Sequence, residues 1–265
     1  MKLLRFELLA EPGRTRSGIV HGGKVYETDG TQAIGVHEWG DVVPLVPTGT
    51  PPSYRMFRLA EGGADWGLHD EPIPLYFYLN PASLVPANRQ LVKPIHVGEL
   101  GYEPQLAAVV ASPGSNVEVS EADGIILGLT VLNTFVDLDI ERAERASGAG
   151  PGRSRDFATA AGPFLTTPEE LDDLVIDDSR GRRYNLSASI RINGQEVGSA
   201  DLSQLPFTFA ELISSASESC SLAAGDLVAL GPIGVTPSKK SKLEIGDDVQ
   251  VIVERLGRLG THIAN

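Results

Sequence analysis

The fold is decided by the segment Glu99–Asp139, which reads ELGYEPQLAAVVASPGSNVEVSEADGIILGLTVLNTFVDLD. It contains two apolar runs, Leu106–Val110 and Ile125–Leu132, separated by a turn and an acidic stretch. Short apolar runs rich in Val and Ala are typical of strands that are covered on both faces of a sheet. The first run therefore predicts a buried strand over Glu103–Ala111. Polar residues stand beside both runs, namely Glu103, Gln105, Asn133 and Thr134.

The length and charge of the chain limit the kinds of protein that it can be. With 265 residues it has room for a large core, in one domain or in a main domain with a smaller one. Its formal net charge of -13 argues against nucleic acid as a partner, because phosphate backbones are bound by clustered Lys and Arg. No apolar run approaches the about 20 residues needed to cross a bilayer, so we expect no membrane segment.

The N-terminus and the cysteine content bear on the compartment. The first residues, MKLLRFELLAEPGRTR, contain no apolar stretch followed by a small-residue cleavage site, so we expect no signal peptide. Cys220 is the single cysteine and cannot form an internal disulfide. A reducing cytoplasm is the simplest location that agrees with both observations.

The N-terminal part of the chain has the pattern of a small β-rich unit. Lys2–Leu9 alternates like a strand, and Ser17–Val20 with Lys24–Glu27 predicts a hairpin closed by Gly22-Gly23. Loop signals then follow between Thr48 and Gly63. We therefore predict a small β-rich domain over residues 1–70, a junction near residue 70, and a larger domain over residues 71–265.

Three further patterns outline the larger domain. Ser187–Ile192 alternates as a strand and ends in Asn193-Gly194, a strong signal for a tight hairpin turn. Thr208–Ser219 places its apolar residues on one helical face. Val131–Arg145 mixes apolar and acidic residues and predicts an amphipathic helix that follows the central strand.

The order of these motifs resembles that of the fumarylacetoacetate hydrolase family. In that family a strand carries Glu-x-Glu before an apolar run, and a later segment reads roughly Gly-Tyr-Thr-x-x-Asn-Asp. Tyr102–Gln105 and Gly128–Thr134 stand at the corresponding positions here, and Gly162–Thr166 matches the family's Gly-Pro-Trp-hydrophobic-Thr. The resemblance covers residues 72–263 in unbroken order. It implies an α+β fold that is mainly β, a mixed β-sandwich or β-roll with a few peripheral helices, beside a small N-terminal β-domain.

The resemblance also implies a metal site, and this chain departs from it. In the family the two Glu and the Asp hold a divalent ion. Here Glu103 keeps the first position, whereas Gln105 and Thr134 replace the other two carboxylates. Mg²⁺ and Mn²⁺ need oxygen ligands with negative charge, so we expect weak or absent divalent binding and no required cofactor. If an ion is retained, Glu103 and Asp137 are its candidate ligands, because Asp137 shares a helical face with Thr134 once the helix has begun.

The family's water-activating machinery is also altered. Two Lys positions of the family correspond to Asn80 and Arg153 here. The His-Glu pair by which the family's hydrolases activate water has no counterpart, and His69-Asp70-Glu71 has the wrong spacing and is interpreted as a surface loop. Neutralised carboxylates, altered Lys positions and a missing His-Glu pair all agree with a loss of hydrolysis.

The remaining polar residues form our candidate site. Glu103 is either a general acid/base or a structural carboxylate paired with Arg153 or Arg155. An arginine at such a site can bind a carboxylate or enolate with two hydrogen bonds. The candidate catalytic residues are Glu103, Gln105, Thr134 and Asp137, and the candidate substrate-binding residues are Asn80, Arg153, Arg155 and Gly231.

Three hypotheses about function remain open, in this order. The first is a metal-independent, non-hydrolytic enzyme that isomerises, dehydrates, cyclises or decarboxylates a small carbonyl compound, such as an oxo acid or a polyketide-like intermediate. The second is a metal-dependent acylpyruvate-type hydrolase or decarboxylase with a shifted ligand set. The third is a non-catalytic binding relative, whose pocket would be filled by core side chains. The expected partner is a small molecule, and the resemblance implies a homodimer.

Overall fold

The structure, a computed structural model, describes residues 1–58, 74–177, 179–234 and 242–265. The predicted junction near residue 70 and the triplet His69-Asp70-Glu71 fall outside these described residues. The division into residues 1–70 and 71–265 therefore stays a prediction. No helix of the described residues combines the length and the apolar character that a membrane crossing requires.

The described residues are mainly strands with a few helices, which confirms the predicted fold class. The helices are α1 (Val119–Ala122), α2 (Leu138–Ser147) and α3 (Phe209–Ser219). The strands are β1 (Lys2–Leu8), β2 (Glu11–His21), β3 (Lys24–Thr28), β4 (Ala33–Glu38), β5 (Val42–Pro44), β6 (Tyr54–Arg58), β7 (Tyr76–Leu79), β8 (Leu84–Pro86), β9 (Arg89–Val92), β10 (Leu100–Val110), β11 (Ile126–Asp137), β12 (Thr159–Ala161), β13 (Leu165–Thr166), β14 (Val175–Asp177), β15 (Arg183–Tyr184), β16 (Ser187–Ile192), β17 (Gln195–Asp201), β18 (Leu227–Gly231), β19 (Asp248–Val253) and β20 (Gly257–Ala264).

The main sheet is organised around the long antiparallel pair β10 and β11. Its strand order is β4-β3-β2-β1-β13-β11-β10-β18-β6-β7, so the N-terminal strands join the central ones through β1 and β13. Strand β18 lies next to β10, and β6 pairs with β18 in parallel. In the register of β10 and β11, Glu103 lies opposite Thr134 and Gln105 lies opposite Leu132. These four side chains therefore share one face of the sheet.

Apolar side chains cover both faces of the central pair. On one face, Tyr102, Leu106 and Phe135 belong to the large core that also contains residues of the second sheet, β17-β16-β19-β20-β9. On the other face, Ala107 and Leu132 pack in a smaller core with Tyr54 and Met56 of β6. Strand β10 is buried along its whole length, as its apolar run predicts.

The predicted helix over Val131–Arg145 is wrong in its first half. Strand β11 continues to Asp137, which lies opposite Leu100 in the ladder, and α2 begins only at Leu138. The backbone hydrogen bonds to β10 outweigh the local helical pattern of acidic and apolar residues. Three residues along a strand place Thr134 and Asp137 on opposite faces, so the expected shared helical face does not exist. The Asp137 carboxylate instead caps α2, accepting hydrogen bonds from the backbone N–H groups of Asp139 and Ile140.

Two other local predictions are confirmed. Ser187–Ile192 and Gln195–Asp201 form a hairpin whose turn residues Asn193 and Gly194 have φ values of 52° and 79°, as a tight hairpin turn requires. Helix α3 begins after Thr208, whose side chain caps it together with Glu211.

Candidate active site

Two layers of polar side chains lie inside the protein, on the face of β10 and β11 that packs with side chains of β6. The first layer contains Glu103 with Arg155, and the second contains Gln105 with Thr134 and Tyr54. All five side chains belong to residues with 0% relative exposure. A polar group in such a place is costly unless it is hydrogen-bonded. Its partners therefore define the chemistry of the site.

Glu103 and Arg155 form a two-point ion pair. The Arg155 Nε donates to Glu103 Oε2 at 2.7 Å, and its Nη2 donates to Glu103 Oε1 at 2.6 Å. Arg155 lies in the short 3-10 turn Arg153–Arg155 that follows α2. Of the two arginines considered as partners for Glu103, the structure selects Arg155.

Arg155 also bridges to helix α2. Its Nη2 donates to Glu141 Oε1 at 2.7 Å, and its Nη1 donates to Ser154 Oγ at 2.9 Å. Arg145 lies 3.2 Å from the same Glu141 oxygen. Burial by itself lowers the pKa of Arg155, but the bonds and charges of Glu103 and Glu141 outweigh it and raise the net pKa. The guanidinium is therefore a permanent cation shared by two carboxylates.

The second layer is a neutral hydrogen-bonded network. The Tyr54 hydroxyl donates to Gln105 Oε1 at 2.5 Å, and Gln105 Nε2 donates to Thr134 Oγ1 at 2.7 Å. The Thr134 and Thr159 hydroxyls lie 3.0 Å apart. Burial raises the pKa of the Tyr54 phenol above its usual range, so the hydroxyl stays protonated. The layer supplies amide and hydroxyl groups but no charge.

The resemblance implies a metal at Glu103, Gln105 and Thr134, but the side chains found there do not fit a divalent ion. Both oxygens of Glu103 accept from Arg155, and the Gln105 oxygen accepts from Tyr54. The Asp137 carboxylate is used at the start of α2. Within the part of the chain that the structure describes, no group of three or more His, Cys, Asp or Glu side chains is arranged to hold a metal.

The structure brings together some of the predicted substrate-binding residues and separates others. Gly231 ends β18 beside the second layer, and a Cβ there would meet Gln105 Cγ at 2.7 Å. Asn80 is exposed and accepts a hydrogen bond from the Ala82 N–H, which starts a 3-10 turn. Arg153 is exposed and takes no part in the bonds of Glu103.

Sequence reasoning did not identify Tyr54 and Glu141. Tyr54 follows a Pro- and Thr-rich stretch that carries only loop signals, although Tyr54 is the first residue of β6. Glu141 faces Arg155 because α2 starts at Leu138, later than predicted. The sequence did contain a signal for this later helix start, because Leu138 is followed by acidic residues that are typical of a first helical turn.

Similarity to known proteins is found along most of the chain. The family model "Fumarylacetoacetate (FAA) hydrolase C-terminal" matches residues 45–264. An uncharacterized protein of Pyrococcus abyssi is 29% identical over 203 residues, which is 76% of this chain and 84% of that protein. Oxaloacetate tautomerase YisK of Bacillus subtilis is 27% identical and covers 72% of this chain and 61% of its own. A 2,4-didehydro-3-deoxy-L-rhamnonate hydrolase of Sphingomonas sp. is 26% identical, over 97% of this chain and 94% of its own.

Solved structures share the fold over the whole chain. The 5-carboxymethyl-2-hydroxymuconate delta-isomerase of Mycobacterium smegmatis superposes with a TM-score of 0.79 at 21% identity, covering 100% of this chain and 98% of its own. Maleylpyruvate hydrolase from Sphingobium, in complex with manganese (II) and pyruvate, gives 0.74 at 17% identity, with coverage of 100% and 99%. The match of the family model to most of the sequence shows that this chain belongs to the fumarylacetoacetate hydrolase family.

Proposed function

We propose that this protein is an enzyme that moves a proton within a small oxo acid and does not hydrolyse it. In this proposal Glu103 carries the proton as general acid/base, and Arg155 binds the oxygen on which negative charge develops. The observation that supports it most is the buried Glu103–Arg155 pair, which places a proton carrier and a fixed cation side by side.

The chemistry of an oxo acid matches this pair. When a proton leaves the carbon beside a carbonyl, negative charge moves to the carbonyl oxygen, and a fixed donor in a site of low dielectric stabilises that charge. A guanidinium has five N–H groups. Four of those of Arg155 are used in the bonds to Glu103, Glu141 and Ser154, and the second N–H of Nη1 has no partner among the described residues. We assign this N–H to the enolate oxygen.

The neutral second layer favours proton movement over hydrolysis. Hydrolysis needs an activated water, and the family's His-Glu pair for this step has no counterpart in the sequence. Gln105, Thr134 and Tyr54 are hydrogen-bonded to one another and are neutral at ordinary pH. The relatives named as a tautomerase and as a delta-isomerase support the same reaction class.

An oxaloacetate keto–enol assay with a chelator present tests the proposal. We expect the wild-type chain to accelerate the interconversion, and Glu103→Gln to lower the rate by about 10²–10⁴-fold, the usual contribution of a general acid or base. Glu99→Gln is the matched control, because Glu99 is paired with Arg142 at the surface. Circular dichroism verifies the fold of each variant. Unchanged turnover in Glu103→Gln, or cleavage into two products, would contradict the proposal.

One observation favours a second candidate, a non-catalytic relative that acts as a binding or scaffolding partner within an assembly. The centre is closed to solvent, since Tyr54, Glu103, Gln105, Thr134 and Arg155 have 0% relative exposure. Calorimetry with oxaloacetate and pyruvate separates the two candidates. The first candidate requires both binding and turnover, whereas the absence of both supports the second, because a centre closed to solvent gives these small molecules no way in. The alternative with a shifted metal ligand set depended on Asp137, and the capping role of that carboxylate gives it no support.

A further inference from the structure

The proposed reaction does not explain how the negative charges of two buried carboxylates at the centre are balanced. Glu103 and Glu141 are 0% and 6% exposed, and buried carboxylates need a cation. The maleylpyruvate hydrolase that shares this fold was solved in complex with manganese (II). Here the guanidinium of Arg155 contacts both carboxylates, and Arg145 also contacts Glu141.

One nitrogen of Arg155 lies where a metal ion could bridge the two carboxylates. Arg155 Nη2 lies 2.6 Å from Glu103 Oε1 and 2.7 Å from Glu141 Oε1, so it bridges oxygens of two carboxylates. A bridging position of this kind is also where a hard cation binds. Ca²⁺ takes oxygen ligands at about 2.3–2.6 Å and Mg²⁺ at about 2.0–2.1 Å. A calcium-sized ion at the Nη2 position would need only a small contraction of the two carboxylates.

The arginine is held in place from its own turn. Its Nη1 donates to Ser154 Oγ at 2.9 Å, and the same hydroxyl donates to Glu144 Oε2 at 2.6 Å. The Phe77 ring lies with its centroid 5.9 Å from Arg155 Cζ. A guanidinium fixed on several sides keeps its position without depending on Glu103 alone.

We infer that Arg155 is a built-in replacement for a divalent ion, and that removing its side chain converts the centre into a cation site made by Glu103 and Glu141. The inference concerns charge balance and does not depend on which reaction the protein performs. It names a second carboxylate, Glu141, that lies outside the positions of the family's ligand motif. It also accounts for the neutral residues Gln105 and Thr134, since a guanidinium already neutralises Glu103.

Cation binding by purified full-length variants tests this inference without an activity assay. Free Mn²⁺ is followed by electron paramagnetic resonance, and Ca²⁺ binding is followed by calorimetry. We expect Arg155→Ser to bind either ion at least about tenfold more tightly than the wild type, a difference of about 1.4 kcal/mol. Arg155→Lys keeps the charge and should behave as the wild type. Arg155→Ser/Glu141→Gln should lose the gain, and Arg153→Ser is the matched control at the exposed arginine of the same turn.

Each outcome decides the question. If Arg155→Ser is unfolded without a divalent ion and folds when Ca²⁺ or Mn²⁺ is added, the ion has replaced the side chain and the inference holds. If that variant stays unfolded with either ion, or is folded and binds no better than the wild type, the inference is wrong. Uptake of Mn²⁺ by the wild type that Glu103→Gln abolishes would also overturn it, because Arg155 would not then have displaced the ion.

Discussion

Arg155 and Glu103 face each other inside the protein as a two-point ion pair, with N···O distances of 2.7 Å and 2.6 Å. The two residues are 52 positions apart in the sequence. Arg155 lies on a turn after α2, and Glu103 lies on the central strand β10. The pair therefore connects the turn that follows α2 to the middle of the main sheet.

The first prediction concerns the stability that this pair provides. Arg155→Met leaves Glu103 and Glu141 buried without their shared cation, and we expect the free energy of unfolding to fall by about 3–5 kcal/mol. Urea denaturation measures the change. Arg153→Met, at an exposed position of the same turn, should change it by less than about 0.5 kcal/mol. Equal losses of unfolding free energy in the two variants would show that the buried ion pair does not stabilise the fold more than an exposed arginine does.

The second prediction concerns alkaline pH. Burial raises the pKa of Tyr54 in the folded state above the value in the unfolded chain, which is about 10. The unfolded chain then releases its proton first, so this contribution to stability is complete below about pH 10 and is lost as the pH rises further. We expect Tyr54→Phe to lose less stability than the wild type between about pH 8 and pH 11. Denaturant unfolding at both pH values measures the difference, and identical losses would contradict the assignment.

The third prediction concerns the contact between Gly231 and the second layer. A Cβ at this position would lie 2.7 Å from Gln105 Cγ and 2.9 Å from the Pro104 carbonyl oxygen. Since backbone cannot move aside cheaply, Gly231→Ala should cost about 1–3 kcal/mol. Gly40→Ala is the control, because a Cβ there has no atom within 4 Å. Thermal unfolding compares the two, and a neutral Gly231→Ala would show that β18 can shift away from Gln105.

The fourth prediction concerns Asn133, which is 0% exposed. Neither polar atom of its side-chain amide has a hydrogen-bond partner among the described residues. Replacing an unsatisfied buried amide with an apolar group removes a desolvation cost, so Asn133→Val should be neutral or stabilise by up to about 1–3 kcal/mol. Thr134→Val is the contrasting variant, because it removes a hydroxyl bonded to Gln105 and Thr159, and should destabilise. A large loss of stability in Asn133→Val would reveal a partner for the amide.

The fold was accessible from the sequence where local and long-range preferences agree. The apolar run Leu106–Val110 is buried on both faces of β10, and Asn193-Gly194 forms the turn of its hairpin, because each pattern suits a single structure. The predicted helix over Val131–Arg145 failed at its first half. There the ladder between β10 and β11 determines the conformation, and a ladder depends on a partner strand that a local window does not contain.

The site was predictable only in part, for a related reason. Glu103 was identified by its position in a motif and Arg155 as one of two candidate partners beside Arg153, and the structure places Glu103 and Arg155 in contact. Tyr54 reaches Gln105 across 51 residues of sequence, through the parallel pairing of β6 with β18. No motif marks that pairing. Glu141 was missed because its orientation depends on the residue at which α2 begins.

The bond between Arg155 and Glu103 has a consequence for how the protein depends on its surroundings. A side chain is supplied by translation in one copy per molecule, and it cannot be removed by dilution, by chelators or by competition from other ions. The neutralisation of Glu103 is therefore complete as soon as the chain has folded, whatever salts the medium contains.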